Sequence, residues 1–322
     1  MGYRHLNIDE REVILQMRAE GKGLQDIAEN LGRNKATVSR ELTRNKSSTG
    51  QYKPHLAQRY YHRRRRDSKQ PYRLNDKRLT HYVRKKLKQY WSPQQISGRL
   101  KVDYPSDDRM RISPVTIYSW IAADRREGGT VHLYLRQSKR KRRKRYGRIE
   151  KRGQIPDKRM IDKRPKVVDR RVRIGDWESD SVVGKSRASY IATHVERKSR
   201  YLVASKLKDL SAARMNRVTI RSLRKIEASK IKTMTFDNGK EFACFKELEC
   251  VLSTEIYFAH PYHSWERGTN ENTNGLLRQF FPKGTDFDQI TKAQLDRKVE
   301  LLNNRPRKCL LYRTPSEVFA MG

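Results

Sequence analysis

Eleven of the seventeen residues from 136 to 152 (RQSKRKRRKRYGRIEKR) are lysine or arginine, and a stretch of that composition cannot enter a packed core. It therefore divides the 322-residue chain into a front and a back part. Residues 1–165 hold 44 basic and 17 acidic side chains, and residues 166–322 hold 30 and 19. The formal net charge of +38, with a pI near 10.4, exceeds what solubility requires and points to a polyanionic partner, nucleic acid first. No apolar run approaches the roughly 18 residues that span a bilayer, so no membrane partner is expected. The opening MGYRHLNIDE carries charges where an export signal has its apolar core. Cys244, Cys250 and Cys309 are odd in number and widely spaced, which fits neither a disulfide framework nor a zinc site. A reduced, cytoplasmic protein associated with the nucleoid is the expectation.

The front part reads as helices. Residues 9–20 begin at Asp9 as N-cap and place Val13, Ile14 and Met17 on one face. Gly21–Gly23 stops that helix. Residues 24–31 set Leu24, Ile27, Ala28 and Leu31 at helical spacing, and a Gly32-centred turn leads into a third helix at 35–43. Val38 and Leu42 face inward there, leaving Lys35, Thr37, Ser39, Arg40 and Arg44 for other work. Helix, glycine turn and a polar, basic helix is the helix-turn-helix pattern, whose last helix enters the DNA major groove. A plain three-helix bundle is the bland alternative. A second unit of this kind is expected within 75–124, where Ser92-Pro93 and Ser113-Pro114 each open a helix with a serine cap and proline at its first position. The basic run, with Lys139, Arg140, Lys141, Arg142 and Arg143 at its centre, is expected to lie along DNA phosphates.

The back part switches to strand-like runs at 173–183, 189–196, 201–206, 232–236 and 255–258. Helical runs at 212–227, 241–252 and 267–280 alternate with the later strands, so a mixed sheet with helices on its faces is expected.

Acids stand where folding alone would not put them. Asp176, Glu178 and Asp180 alternate along the first strand, so all three share one face. Such a trio repels itself unless water or a cation intervenes, and alternation leaves the three equal as candidates. Asp237 ends an apolar strand, where α/β sheets place working residues; Asp237-Asn238-Gly239 also reads as a plain turn. Glu271, Asn274 and Arg278 share a helix face at i, i+3 and i+7. Spaced carboxylates suit Mg²⁺, which prefers oxygen ligands and keeps several waters. Two such ions roughly 3.5–4 Å apart can activate water or a DNA 3′-hydroxyl and stabilise the leaving oxygen of a phosphodiester.

The segments WESDSVVG, TFDNGKEF and FAHPYHSWERGTNENTNGLLRQFFPKGTDF closely resemble the catalytic segments of DDE transposases of the bacterial IS30 insertion-sequence family. The 33 residues between Asp237 and Glu271 match that family's spacing, and the C-terminal NNRPRKCLLYRTPSEVF is similar as well. The resemblance covers nearly the whole chain. It implies a ribonuclease-H-like catalytic domain of the retroviral-integrase type, with Asp180, Asp237 and Glu271 as catalytic, metal-binding triad. The resemblance alone selects Asp180 over Asp176 and Glu178. It also implies DNA contact by Arg278, with Asn274 beside it. Ser179 departs from the pattern, where glycine is expected.

The expected organisation is a helix-turn-helix domain at 1–66, a second such domain at 67–135, a basic linker at 136–165 and an integrase-type catalytic domain at 166–322. The expected activity is Mg²⁺-dependent strand cleavage and strand transfer, with Mn²⁺ as a substitute. The expected partners are terminal inverted repeats, target DNA and further copies of the chain, a dimer at least. Two rivals are a DNA-binding regulator with an inactive nuclease-like domain and a structural RNA-binding protein.

Overall fold

Local capping sets the first helix. Asn7 accepts a hydrogen bond from the Glu10 amide and the Glu10 side chain accepts from the Asn7 amide, a reciprocal box that starts α1 (Ile8–Ala19) two residues before the expected cap at Asp9. Next come α2 (Leu24–Asn30), α3 (Lys35–Arg44) and α4 (Pro54–Asp67). Ile14, Ile27, Ala28 and Val38 bury one small core between the first three helices. The buried Arg11 guanidinium on α1 ties this core to Glu41 of α3 at 2.7 Å. The computed structural model describes residues 4–47, 50–68, 73–136, 155–185, 188–261 and 263–322.

The chain forms two compact units, 1–75 and 76–322. This differs from the four segments read from the sequence in three places. Arg63–Arg66, expected to end the first domain, lie inside α4. The second set of helices, α5 (Lys77–Lys88), α6 (Pro93–Asp103) and α7 (Pro114–Arg126), belongs to the same unit as the sheet. Its helix starts are as expected, with Ser92 and Ser113 accepting from the amides of Gln95 and Thr116. The physical tie to the rest of that unit is specific. The Arg99 guanidinium grips both Glu317 oxygens at 2.6 Å, and the Tyr312 ring lies against Gly98, where any Cβ would collide. Finally, residues 155–165 are not linker: Ile155 is buried in the sheet's core, Met160 bridges to Phe258, and Arg164 is buried against Thr235. Lys139, Arg140, Lys141, Arg142 and Arg143 lie outside the described residues.

After a short α8 (Lys166–Arg170), five strands follow: β1 (Asp176–Val183), β2 (Tyr190–Glu196), β3 (Leu202–Leu207), β4 (Thr233–Phe236) and β5 (Glu255–Phe258). Their order is β3-β2-β1-β4-β5, antiparallel through the first three and parallel from β1 to β4 to β5. This is the mixed sheet, with helices on its faces, expected from the order of strand and helix runs. One face carries Trp177, Met234, Phe236, Ile256 and Phe258 and packs on α9 (Ala212–Leu223) and α10 (Phe245–Leu252). The other face carries Val182, Ile191, Val195 and Leu202 and packs on α11 (Gly268–Leu277) and α12 (Lys292–Asn303). A terminal α13 (Pro315–Ala320) supplies Glu317 and Phe319, whose ring stacks on Tyr201 at 4.4 Å. Among the described residues no helix is long and apolar enough to cross a membrane.

Candidate active site

Strand alternation puts Asp176, Glu178 and Asp180 on the α11 face of β1, and tertiary packing then treats them differently. Asp176 is buried, held by Arg173 at 3.0 Å and by the Thr233 hydroxyl at 2.9 Å. Glu178 is wholly buried, paired with Arg197 at 3.4 Å, and accepts the Asn270 amide at 2.8 Å. Asn270 lies in the first turn of α11, so Glu178 anchors the positive end of that helix to β1. Asp180 alone reaches the open end of the sheet, with a side chain 26% exposed.

The parallel pairing of β1 and β4 supplies the partner. Glu178 stands opposite Thr235, so two residues further along each strand Asp180 comes level with Asp237. Neighbouring strands lie about 4.8 Å apart, so the two carboxylates share one site. A guanidinium occupies the space between them: Arg267 Nη1 is 3.6 Å from Asp180 Oδ1, and Nη2 donates to Asp237 Oδ2 at 3.3 Å. Nη1 also donates to the Ser179 carbonyl at 3.2 Å. Asn274, one turn beyond Asn270 on α11, donates to Asp180 Oδ2 at 3.0 Å, and the Gly239 amide donates to Asp237 Oδ1 at 2.9 Å.

Burial pushes the Asp180 carboxyl up to about 6; the charges of Asp237 and Glu241 push the same way, and Arg267 opposes them. The sign for a bound cation follows. As pH falls below about 6, protons compete for Asp180, so apparent Mn²⁺ affinity is expected to fall by roughly tenfold per unit. Mn²⁺ titration followed by electron paramagnetic resonance between pH 7 and 5 checks this; a flat affinity removes Asp180 as a ligand.

Glu271 stands apart. Its side chain is exposed, and among the described residues no three His, Cys, Asp or Glu side chains converge tightly enough to hold a metal. At 100° per residue it nevertheless lies within roughly 60° of Asn274 around the helix, one turn after Arg267. Arg278 follows on the same face and donates to the Val183 carbonyl at 2.6 Å. With Lys283, Asn274 and residues 181–184 it lines an open groove of about 520 Å³ leading away from Asp180.

Two participants escaped the sequence reading. Arg267 carries no signal until the fold places it between two acids from distant strands. Glu241 accepts from the Ser181 hydroxyl at 2.9 Å and adds negative charge at Asp180; it stood in view within TFDNGKEF. Ser179 turns to the other face of β1, where its hydroxyl meets His194 Nδ1 at 2.8 Å. It therefore leaves the acid face undisturbed. In the first unit, Lys35, Arg40 and Arg44 are exposed on α3, and Thr37 and Ser39 are half-buried. Thr37, Arg40 and Arg44 border a pocket shared with Arg64 and Arg65 of α4.

The helix-turn-helix domain family matches residues 2–45. Relatives of the whole chain include the transposase for insertion sequence element IS4351 of Bacteroides fragilis, 40% identical over 98% of this chain and 95% of the relative. The transposase for IS1086 of Cupriavidus metallidurans is 38% identical over 99% and 95%. The transposase InsI for IS30A of Escherichia coli is 36% identical over 99% and 84%. Among solved structures, the catalytic core domain of BIV integrase aligns at 19% identity with a TM-score of 0.37, covering 46% of this chain and 95% of that one.

Proposed function

Since this chain belongs to the IS30 family of insertion-sequence transposases, we propose that it binds the ends of its element through α3 and cleaves and joins DNA strands at Asp180, Asp237 and Glu271. The observation that carries the reading is the Asp180–Asp237 pair, level across two parallel strands and already bridged by a cation, Arg267. Asp176 and Glu178 are buried; this pair is partly exposed and open to substrate.

The donor set fits a hard divalent ion. Both carboxylates offer oxygen only, two acids face one guanidinium, and Glu241 adds further negative charge nearby. Mg²⁺ would be held by Asp180 and Asp237, with Glu271 reaching in from α11, and when bound it would lower the pKa of water or a 3′-hydroxyl and polarise the phosphodiester. The chain's own residues position the rest. Asn274 fixes Asp180, the Gly239 amide fixes Asp237, and the Glu178–Asn270 contact sets the angle of α11. Arg278 and Lys283 offer positive charge along the groove that a phosphate backbone would follow. Pairing two element ends requires at least two bound copies, so a dimer or larger assembly is part of the proposal.

The test is Mg²⁺-dependent cleavage of a duplex carrying the element's terminal inverted repeat. Wild-type protein is expected to nick it, a chelator to stop the reaction, and Asp237→Ala to abolish cleavage while retaining binding. Undiminished cleavage by Asp237→Ala would overturn the site. A wild-type protein that binds the repeat but never cuts it would favour the regulator reading, and a preference for RNA would favour the structural one.

A further inference from the structure

The motif NNRPRK near the C-terminus has no part in the chemistry above, yet its arginines are placed in an unusual way. Arg305 is 2% exposed, and its Nε and Nη2 meet no acceptor among the described residues. Only Nη1 is satisfied at a side chain, donating to Gln279 Oε1 at 3.0 Å, while the guanidinium lies 5.6 Å from the Phe280 ring centre. A buried charge with idle donors is costly unless something completes it. Its charged neighbours are cations. Arg307 and Arg136 both act on it, and Arg307 feels Arg136 and Arg200 in turn. Burial, with these like charges, pushes Arg305 down to about 9 and Arg307 to about 10; Tyr90 and Cys309 respectively oppose this, and among the described residues no carboxylate acts on either.

The cluster has a definite place relative to the acids. Glu271, Gly275 and Gln279 lie at i, i+4 and i+8, one stripe along α11 and its C-terminal turn. The Arg136 guanidinium lies over Gly275, where a Cβ would come within 3.2 Å of Nη2. Arg305 holds Gln279, whose amide also donates to the Tyr134 carbonyl at 3.3 Å. Nearer the helix start, Arg200 donates to the Thr269 hydroxyl at 2.7 Å. Cations from three separate stretches of chain therefore gather around the helix that carries Glu271, Arg136 and Arg305 along the Glu271 stripe and Arg200 at buried Thr269.

We propose that Arg136, Arg305 and Arg307 form a phosphate-binding site for the DNA strand that passes through the active site. Exposed Arg136 and half-buried Arg307 place their positive charge nearest solvent, and buried Arg305 supplies fixed charge beneath them. Glycine at 275 keeps the stripe low enough for a backbone to approach. The site begins one helical turn from Glu271, about 6 Å, which corresponds to roughly two nucleotides of a strand rising 3.4 Å each. The assignment rests on the transposase reading of the acidic site.

The experiment uses full-length protein and a duplex carrying the terminal inverted repeat. The Arg136→Gln/Arg307→Gln double variant is expected to flatten the plot of log affinity against log salt by about two units of slope, with unchanged thermal unfolding, and Arg136→Lys/Arg307→Lys to restore it. Uncharged methylphosphonates placed within two or three nucleotides of the cleaved bond are expected to weaken binding by wild type and to have no further effect on the glutamine variant. An unchanged slope, or equal methylphosphonate penalties in both proteins, overturns the phosphate site. Failure of wild type to cut the repeat under any divalent cation speaks against the transposase reading instead, and leaves the slope comparison to decide the site by itself.

Discussion

Asp180→Asn is expected to slow strand cleavage by on the order of 10²–10³, the scale for removing one preorganised electrostatic group, while repeat binding stays within twofold of wild type. Asp176→Asn is expected to keep its rate at a temperature where the protein stays folded. The two aspartates sit four residues apart on one face of one strand, so sequence environment hardly distinguishes them. Their partners do. Asp176 spends its oxygens on Arg173 and Thr233, and Asp180 faces Asp237 across the parallel pair. Single-turnover cleavage of a repeat-bearing duplex, with binding measured alongside, separates the variants. Equal loss of rate in both, with both folded, would mean that the first ligand is not unique to Asp180.

The second large effect is one of stability. Arg197→Met leaves Glu178 buried without its main opposite charge, and breaking a buried ion pair from one side costs about 3–5 kcal/mol. For a unit of this size that lowers the melting temperature by roughly 10 °C. The Glu178→Met/Arg197→Met double variant is expected to be more stable than Arg197→Met alone, because it removes the stranded charge together with its partner. The double variant is also expected to cleave slowly. Without Glu178 the Asn270 amide loses its acceptor, and the helix that is capped by Arg267 and carries Glu271 and Asn274 loses its anchor on β1. Thermal unfolding of the wild type and the two variants decides the matter; a double variant no more stable than Arg197→Met would show that the pair is not what couples these positions.

Several features were legible because they are local. The Ser92-Pro93 and Ser113-Pro114 caps open α6 and α7 where expected, since a cap needs only the next three amides. Helix ends were less legible. The expected helix 212–227 stops at Leu223, and 241–252 is a short tight turn followed by a helix from Phe245. In the first the departure is at the last turn and in the second at the first turn, where tertiary packing and competing turn conformations outweigh propensity. The basic run encouraged a boundary near residue 136, yet Arg99–Glu317 and Gly98–Tyr312 join residues more than two hundred positions apart. No pattern within a window of the sequence contains such a pair.

By itself the sequence determined a chain with an excess of positive charge, helices in front, a mixed sheet behind and three acids alternating on one strand. Each follows from composition or from the period of a single element. Resemblance to a family added which acid to choose. The tertiary structure decided why: Asp176 and Glu178 are buried against Arg173 and Arg197, and Asp180 is carried by strand register to the side of Asp237 at the open end of the sheet. It also decided that Arg267 stands between those acids and that Arg305 is buried among other arginines. These are meetings of distant segments, and their electrostatic consequences depend on separation and burial in space, which no spacing along the chain expresses.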